Sequence, residues 1–90
     1  MQRWTLVVSG KVQGVFFRKS TAEQAQLIGV SGCVRNLSNG DVEVVAEGSP
    51  AQLQQLHDWC QHGPDRARVD SVEVTRDEAT GEYADFRVRH

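Results

Sequence analysis

The sequence predicts an α+β fold in which two helices cover one face of a mostly antiparallel sheet. Several short segments have apolar residues at every second position, which is typical of half-buried strands. Two longer segments lack internal glycine, place apolar residues three or four positions apart and end before a glycine, which is typical of helices. Ninety residues are enough for one compact core. We therefore expect one domain spanning residues 1–90.

The first predicted elements are a strand and a helix. Residues 4–12 alternate, with one face formed by Trp4, Leu6 and Val8. Residues 18–28 predict a helix that stops at Gly29, because glycine readily adopts the left-handed conformation that ends helices. One face of this helix is marked by small or apolar residues at Thr21, Ala25 and Ile28.

A hairpin is predicted next. Residues 33–37 and 41–46 form its strands, and the second strand alternates with Val42, Val44 and Ala46 on one face. Between the strands, Asn39-Gly40 is a strong hairpin signal because both residue types tolerate positive φ.

A second helix is expected to begin at Ser49-Pro50. The Ser49 side chain can accept from the free amides of the first turn, and Pro50 fits that turn. The predicted apolar stripe of this helix contains Leu53, Leu56 and Cys60, and Gly63-Pro64 ends the helix.

The last predicted elements are two strands separated by a turn at residues 80–82. Residues 69–74 form the first strand, and its imperfect alternation predicts a bulge. Residues 84–88 form a short final strand. The whole order is β-α-β-β-α-β plus one strand, which is the split βαβ or ferredoxin-like pattern. Its expected strand order is 4-1-3-2, with the last strand at an edge.

Composition favours a globular protein of the cytoplasm. Hydrophobic residues make up 39% and charged residues 24% of the chain. No apolar run approaches the roughly 20 residues of a membrane helix, and no signal-peptide pattern is present. The net charge of −2 argues against nucleic acid as a partner. Residues 1–36 alone carry +4, which favours an anionic ligand. We expect a monomer.

Cysteine and histidine give no metal or disulfide pattern. Cys33 and Cys60 are too few for a disulfide scaffold and too far apart for a paired zinc motif. We expect reduced thiols, although a bridge between the two remains possible. His57, His62 and His90 are expected at the surface or at helix ends. No metal site is predicted.

An anion site is predicted where the first strand leads into the first helix. The run from Gly10 to Arg18 reads GKVQGVFFR. A glycine-containing turn frees backbone N–H groups, and the helix start adds unpaired donors of its own. Arg18 adds a forked, permanently charged group that suits phosphate oxygens. The predicted donors are Arg18 and the backbone of Gln13, Gly14, Val15, Phe16 and Phe17.

This run resembles the acylphosphatase signature G-x-V-Q-G-V-x-F-R. A second segment, from Gly32 to Val42 with Gly48 beyond it, is similar to the same family's G-(aromatic)-V-x-N-x-x-x-G-x-V-x5-G. The sequence departs from this pattern at Cys33, where the family usually has an aromatic residue. The resemblance covers most of the chain, from about residue 6 to its end.

The resemblance implies an enzyme that hydrolyses acyl phosphates to a carboxylate and inorganic phosphate. It implies that Arg18 binds the phosphate and that Asn36 orients the attacking water, with no metal and no cofactor. The residue types suit these two roles. A carboxamide can both donate to and accept from a water molecule. The motifs offer no general acid, but an acyl phosphate releases a carboxylate whose conjugate acid has a pKa of about 4, so none is needed.

Two alternatives remain open at this stage. The chain could be a non-catalytic module that binds phosphate or carbamoyl phosphate, since similar domains occur inside larger enzymes. It could also bind RNA, because the same element order hosts RNA-binding sheets. The strands lack the aromatic run that such sheets carry, which disfavours RNA.

Overall fold

The computed structural model describes residues 1–90 and contains five strands and two helices. The predicted element order is confirmed. Most observed bounds differ from the predicted ones by one or two residues, and the fourth strand extends further. In chain order the elements are β1 (Gln2–Lys11), α1 (Phe17–Ile28), β2 (Ser31–Asn36), β3 (Val42–Gly48), α2 (Pro50–Cys60), β4 (Arg68–Glu78) and β5 (Phe86–Val88).

The strands form one sheet in the order β4-β1-β3-β2-β5. The first three pairings are antiparallel, whereas β5 runs parallel to β2 at the edge. The predicted order 4-1-3-2 with the last strand at an edge is confirmed. Because β3 is antiparallel to both of its neighbours, β1 and β2 run parallel and end at the same rim of the sheet.

A bulge interrupts the pairing of β1 with β4, as the broken alternation predicted. Ser9 lies opposite Ser71 and Gly10 lies opposite Val69, so Asp70 is the extra residue. At Gly10 the backbones approach so closely that a Cβ would overlap the carbonyl oxygen of Arg68. Glycine is therefore required at this position of β1, beside the bulge.

The β2–β3 turn (residues 37–41) forms where predicted. Of the two signal residues only Gly40 has a positive φ, at 99°. The Asn39 side chain accepts from the backbone amide of Asp41 at 3.0 Å. The turn is closed by the Leu37 amide, which donates to the Asp41 carbonyl at 2.8 Å.

The helix ends also follow the sequence signals. At α1 the amide of Gly29, with φ of 96°, donates to the Ala25 carbonyl and ends the helix. At α2 the Ser49 hydroxyl accepts from the Gln52 amide at 3.2 Å, while the Gln52 side chain accepts from the Ser49 amide at 3.0 Å. This capping box satisfies two donors at the start of α2.

The core lies between the helices and one face of the sheet. The predicted stripes of β1 and α2 are buried there, and Phe17 at the start of α1 is only 1% exposed. Its ring lies 5.7 Å from that of Trp59. The largest fully buried side chains include Phe17, Leu6, Leu53, Leu56, Val8 and Val34. Neither helix is long and apolar enough to cross a bilayer.

A segment at residues 79–85 packs against the opposite, helix-free face. Glu47 is 3% exposed on that face and accepts from the guanidinium of Arg3 at 2.8 Å, and from the amides of Thr80 and Gly81 at 2.9 and 3.0 Å. Beside it, Tyr83 approaches Cys33, with 3.7 Å between its hydroxyl oxygen and the Cys33 sulfur. An aromatic side chain thus contacts position 33 from elsewhere in the chain.

Both cysteines are free, as expected. Cys60 belongs to the core between helices and sheet, whereas Cys33 is buried outside that core. Its partner on β3 is Val45, and the neighbouring pairs Val34–Val44 and Gly32–Ala46 place core residues on the other face. The sheet therefore separates the two thiols, and no bridge can join them in this fold.

Replacing Glu47 with Gln is expected to destabilise the protein at neutral pH by about 3 kcal/mol. Burial opposes ionisation of the Glu47 carboxylate, but donation from the Thr80 amide, Arg3, the Gly81 amide and the Thr80 hydroxyl outweighs it and lowers the pKa from 4.5 to about 2. Because the pKa is lower in the folded state, this stabilisation is full above about pH 4.5 and is lost as the pH falls toward 2.

Urea unfolding between pH 2 and pH 7 measures this effect. The wild-type protein should lose stability through that acid window more steeply than the Glu47→Gln variant. Glu43→Gln is the matched control. Glu43 lies on β3 like Glu47, but it pairs with the exposed Arg35 of β2 at 2.9 Å, and exposed ion pairs contribute little to stability. Parallel pH profiles of stability for wild type and Glu47→Gln would show that ionised Glu47 is not the source of this acid-dependent stability.

Candidate active site

Both motif segments reach the same rim of the sheet. Val42 begins β3 and pairs with Val8 of β1 on one side and with Asn36, the last residue of β2, on the other. Beyond this point β1 continues along β4 as far as Lys11 and then enters residues 12–16, here called the anion loop. The anion loop and the end of β2 are thus separated by the start of one intervening strand.

A cavity of about 300 Å³ opens at this rim. It brings together Arg18 from the first motif and Asn36 from the second, so the two predicted catalytic residues share one cavity. The Val15 side chain is buried in the core and the Gln13 side chain bonds to the β2–β3 turn, so these two residues can offer the site only their backbone amides. The lining consists of Val12, Gly14, Phe16, Phe17, Arg18, Lys19, Asn36, Val88 and His90.

The backbone amides of residues 14–19 find no acceptor within the chain. The first helical bond at this end runs from the Ser20 amide to the Phe16 carbonyl at 3.0 Å. Left-handed residues flank Val15, with φ of 74° at Gly14 and 63° at Phe16. Such turns group successive N–H donors into concave anion sites, and the helix start adds its positive end. The local field at this loop therefore favours a negatively charged ligand.

Arg18 is held by the residues that follow β5. Its Nη1 atom donates to the Arg89 carbonyl at 3.0 Å and lies 3.2 Å from Nδ1 of His90. The Nε and Nη2 atoms make no hydrogen bond within the protein. Arg18 is thus fixed by one edge of its guanidinium, and the remaining donors are available to a ligand.

His90 is a cavity residue that the sequence analysis missed. His90 is exposed, as expected, but it also contacts Arg18 and lines the cavity. The parallel pairing of β5 with β2 is responsible, since Val88 lies opposite Val34 and both strands then run toward the rim. The sequence signal that could have placed His90 at this rim is the short apolar alternation of residues 84–88, which predicts the edge strand.

Asn36 presents a carboxamide without a partner in the protein. The residue is exposed, and its side chain makes no hydrogen bond to another group of the chain. Both its donors and its acceptor are therefore available to water or substrate. No group of three or more His, Cys, Asp or Glu side chains is arranged to hold a metal ion.

The Gln13 side chain connects the anion loop to the β2–β3 turn. Its Nε2 atom donates to the carbonyls of Leu37 and Asp41, each at 2.8 Å. These are the only hydrogen bonds between the two segments. Leu37 directly follows Asn36, so one of the two Gln13 hydrogen bonds is made to the residue next to Asn36.

Comparison with known proteins agrees with both motifs. A family model described as Acylphosphatase matches residues 4–88. A relative described as acylphosphatase from Marinobacter nauticus is 54% identical over 90 residues, which cover 100% of this chain and 98% of the relative. The crystal structure of acylphosphatase from Bacillus subtilis gives a TM-score of 0.96 at 29% identity, with 100% of each chain covered. An acylphosphatase structure from Coxiella burnetii gives 0.89 at 44% identity, covering 97% of this chain and 90% of that one.

The left-handed backbone at Phe16 generates a stability prediction. Its side chain is 67% exposed, so the ring itself contributes little to folding. Phe16→Ala and Phe16→Gly both remove the ring, but only glycine adopts φ of 63° without strain. The glycine variant is expected to be more stable than the alanine variant by about 1 kcal/mol in denaturant unfolding. Equal stabilities would show that the loop relaxes to another conformation.

Proposed function

Because this chain belongs to the acylphosphatase family, we propose that Arg18, the anion loop and Asn36 form the site that hydrolyses acyl phosphates. The reaction converts a carboxylic–phosphoric anhydride and water to a carboxylate and inorganic phosphate. The observation that carries the assignment of residues is the common cavity of Arg18 and Asn36. A small acyl phosphate is the substrate of this proposal.

Arg18 and the unpartnered amides hold the phosphoryl group. Phosphoryl transfer needs its charge neutralised on the equatorial oxygens, and preorganised donors do this without reorganising as the reaction proceeds. The amides of residues 14–19 are fixed by the loop and the helix start, and Arg18 is fixed by the Arg89 carbonyl. Lys19 on the same rim adds positive charge that attracts the substrate.

Asn36 holds the attacking water. Its place at the end of β2 puts it two strand positions from β1, a separation of about 10 Å in the sheet, with the cavity between. A phosphoryl group on the anion loop and a water on the Asn36 carboxamide fit between these elements. The water oxygen attacks phosphorus as the bond to the carboxylate oxygen breaks.

The leaving group explains why the proposed site needs no acid. The carboxylate takes the bonding electron pair and, with a conjugate-acid pKa of about 4, leaves unprotonated near neutral pH. The proton of the water passes to a phosphate oxygen.

All the proposed groups come from one chain, so a monomer suffices, and no metal or cofactor takes part. Two buried free thiols favour the reducing cytoplasm.

Arg18→Ala is expected to reduce kcat/KM for benzoyl phosphate by at least about a hundredfold. Removing the guanidinium deletes the fixed charge that binds the phosphoryl oxygens, so KM should rise and kcat should fall. Phosphate release measured in the presence of a chelator provides the test and examines metal independence in the same assay. Arg35→Ala is the control, since Arg35 pairs with Glu43 outside the cavity. Wild-type kcat/KM in Arg18→Ala would refute the role.

Asn36→Ala is expected to lower kcat by about a hundredfold while inhibition by inorganic phosphate stays within about twofold of wild type. The variant keeps the phosphoryl-binding donors and loses only the group that orients water. Asn39→Ala is the matched control, because Asn39 carries the same carboxamide on the β2–β3 turn outside the cavity. Full turnover in Asn36→Ala, or an equal loss in Asn39→Ala, would contradict the assignment.

A further inference from the structure

The backbone does not connect the anion loop to the β2–β3 turn. The β1–β3 ladder ends at the pair Val8–Val42, and the last residues of β1 pair only with β4. The anion loop begins four residues after Val8. A gap in the sheet therefore opens at the rim where the proposed reaction takes place.

The carboxamide of Gln13 spans this gap. Its two N–H groups are both used, one on the Leu37 carbonyl and one on the Asp41 carbonyl, at 2.8 Å each. The same two carbonyls accept the bonds that close the turn, from the Gly40 amide at 3.3 Å and the Leu37 amide at 2.8 Å. Gln13 thus joins the turn at both sides of its base.

We propose that Gln13 is a positioning residue that sets the location of Asn36 relative to the phosphoryl group. The inference rests on the proposed function. The phosphoryl-binding donors lie on one continuous segment, residues 14–19, so their mutual geometry does not depend on the bridge. The position of Asn36 relative to that segment depends on how the two loops are connected.

Phosphate binding and water positioning therefore depend on different segments, and this difference predicts which kinetic constant responds to the loss of Gln13. A displacement of about 1 Å between reacting groups can reduce a rate by about a hundredfold. Binding of phosphate alone involves only the amides of residues 14–19 and the Arg18 guanidinium. Loss of the bridge therefore lowers kcat and leaves the affinity for inorganic phosphate nearly unchanged, whereas a merely structural residue would lower stability alone.

Gln13→Met tests the proposal because methionine has a similar length and no N–H donor. We expect kcat for benzoyl phosphate to fall about tenfold, with the inhibition constant of inorganic phosphate within about twofold of wild type. Gln13→Asn keeps the carboxamide but shortens its reach by one methylene, and it provides the same test if the methionine variant does not fold.

Gln52→Met is the matched control. Gln52 is also a half-buried glutamine whose Nε2 donates to a backbone carbonyl, that of Ile28 at 3.2 Å, but it lies at the start of α2, directly after β3 ends at the opposite rim. Its replacement should lower stability without changing kcat. An equal loss of kcat in Gln52→Met would assign the Gln13 effect to general loosening of the fold and overturn the proposal.

A double-variant cycle separates this inference from the proposed function. If Gln13 acts through Asn36, then Gln13→Met should change kcat by less than about twofold in the Asn36→Ala background. A persisting tenfold loss there, or wild-type kcat in the single Gln13→Met variant, would overturn the positioning role. Wild-type turnover in Asn36→Ala would instead refute the proposed function itself.

Discussion

The candidate site depends on the parallel course of β1 and β2 on either side of an antiparallel β3. This arrangement brings the strand-to-helix loop after β1 and the final residue of β2 to one rim, although they lie far apart along the chain. It also leaves space between them, since β3 begins at Val42 while β1 continues beyond it. Arg18 and Asn36 can then face one cavity from opposite sides.

The anion loop obtains its chemistry from backbone more than from side chains. Six consecutive amides lack an internal acceptor: three lie in the loop with its left-handed residues Gly14 and Phe16, and three lie in the first turn of α1. At Phe16 that conformation is strained, and such strain persists only where the surrounding structure enforces it. The buried neighbours Val15 and Phe17, held in the core on either side, supply that enforcement.

The helix-free face of the sheet holds the segment that leads into β5, the strand that runs toward the same rim. Glu47 accepts from Thr80 and Gly81 and thereby fixes the segment that leads into β5. Because β5 lies parallel to β2, the chain then delivers the Arg89 carbonyl and His90 to Arg18. Contacts on the helix-free face thus hold the chain before β5, and contacts with Arg18 hold it after β5.

The sequence by itself determined the element order, through local periodicity and turn chemistry, and the strand order, through the ferredoxin-like pattern that this element order matches. Arg18 and Asn36 stay proposals for catalysis, which rest on short motifs and on the family resemblance that those motifs carry. Even the bulge at Asp70 left a local trace in the broken alternation of the fourth strand.

Only the tertiary structure decided which groups meet. The contact of His90 with Arg18, the bridge from Gln13 to Leu37 and Asp41, and the approach of Tyr83 to Cys33 each join residues at least 24 positions apart. No local pattern specifies such pairs, because they depend on strand register and on side-chain directions. Those are settled when the sheet and its core pack together.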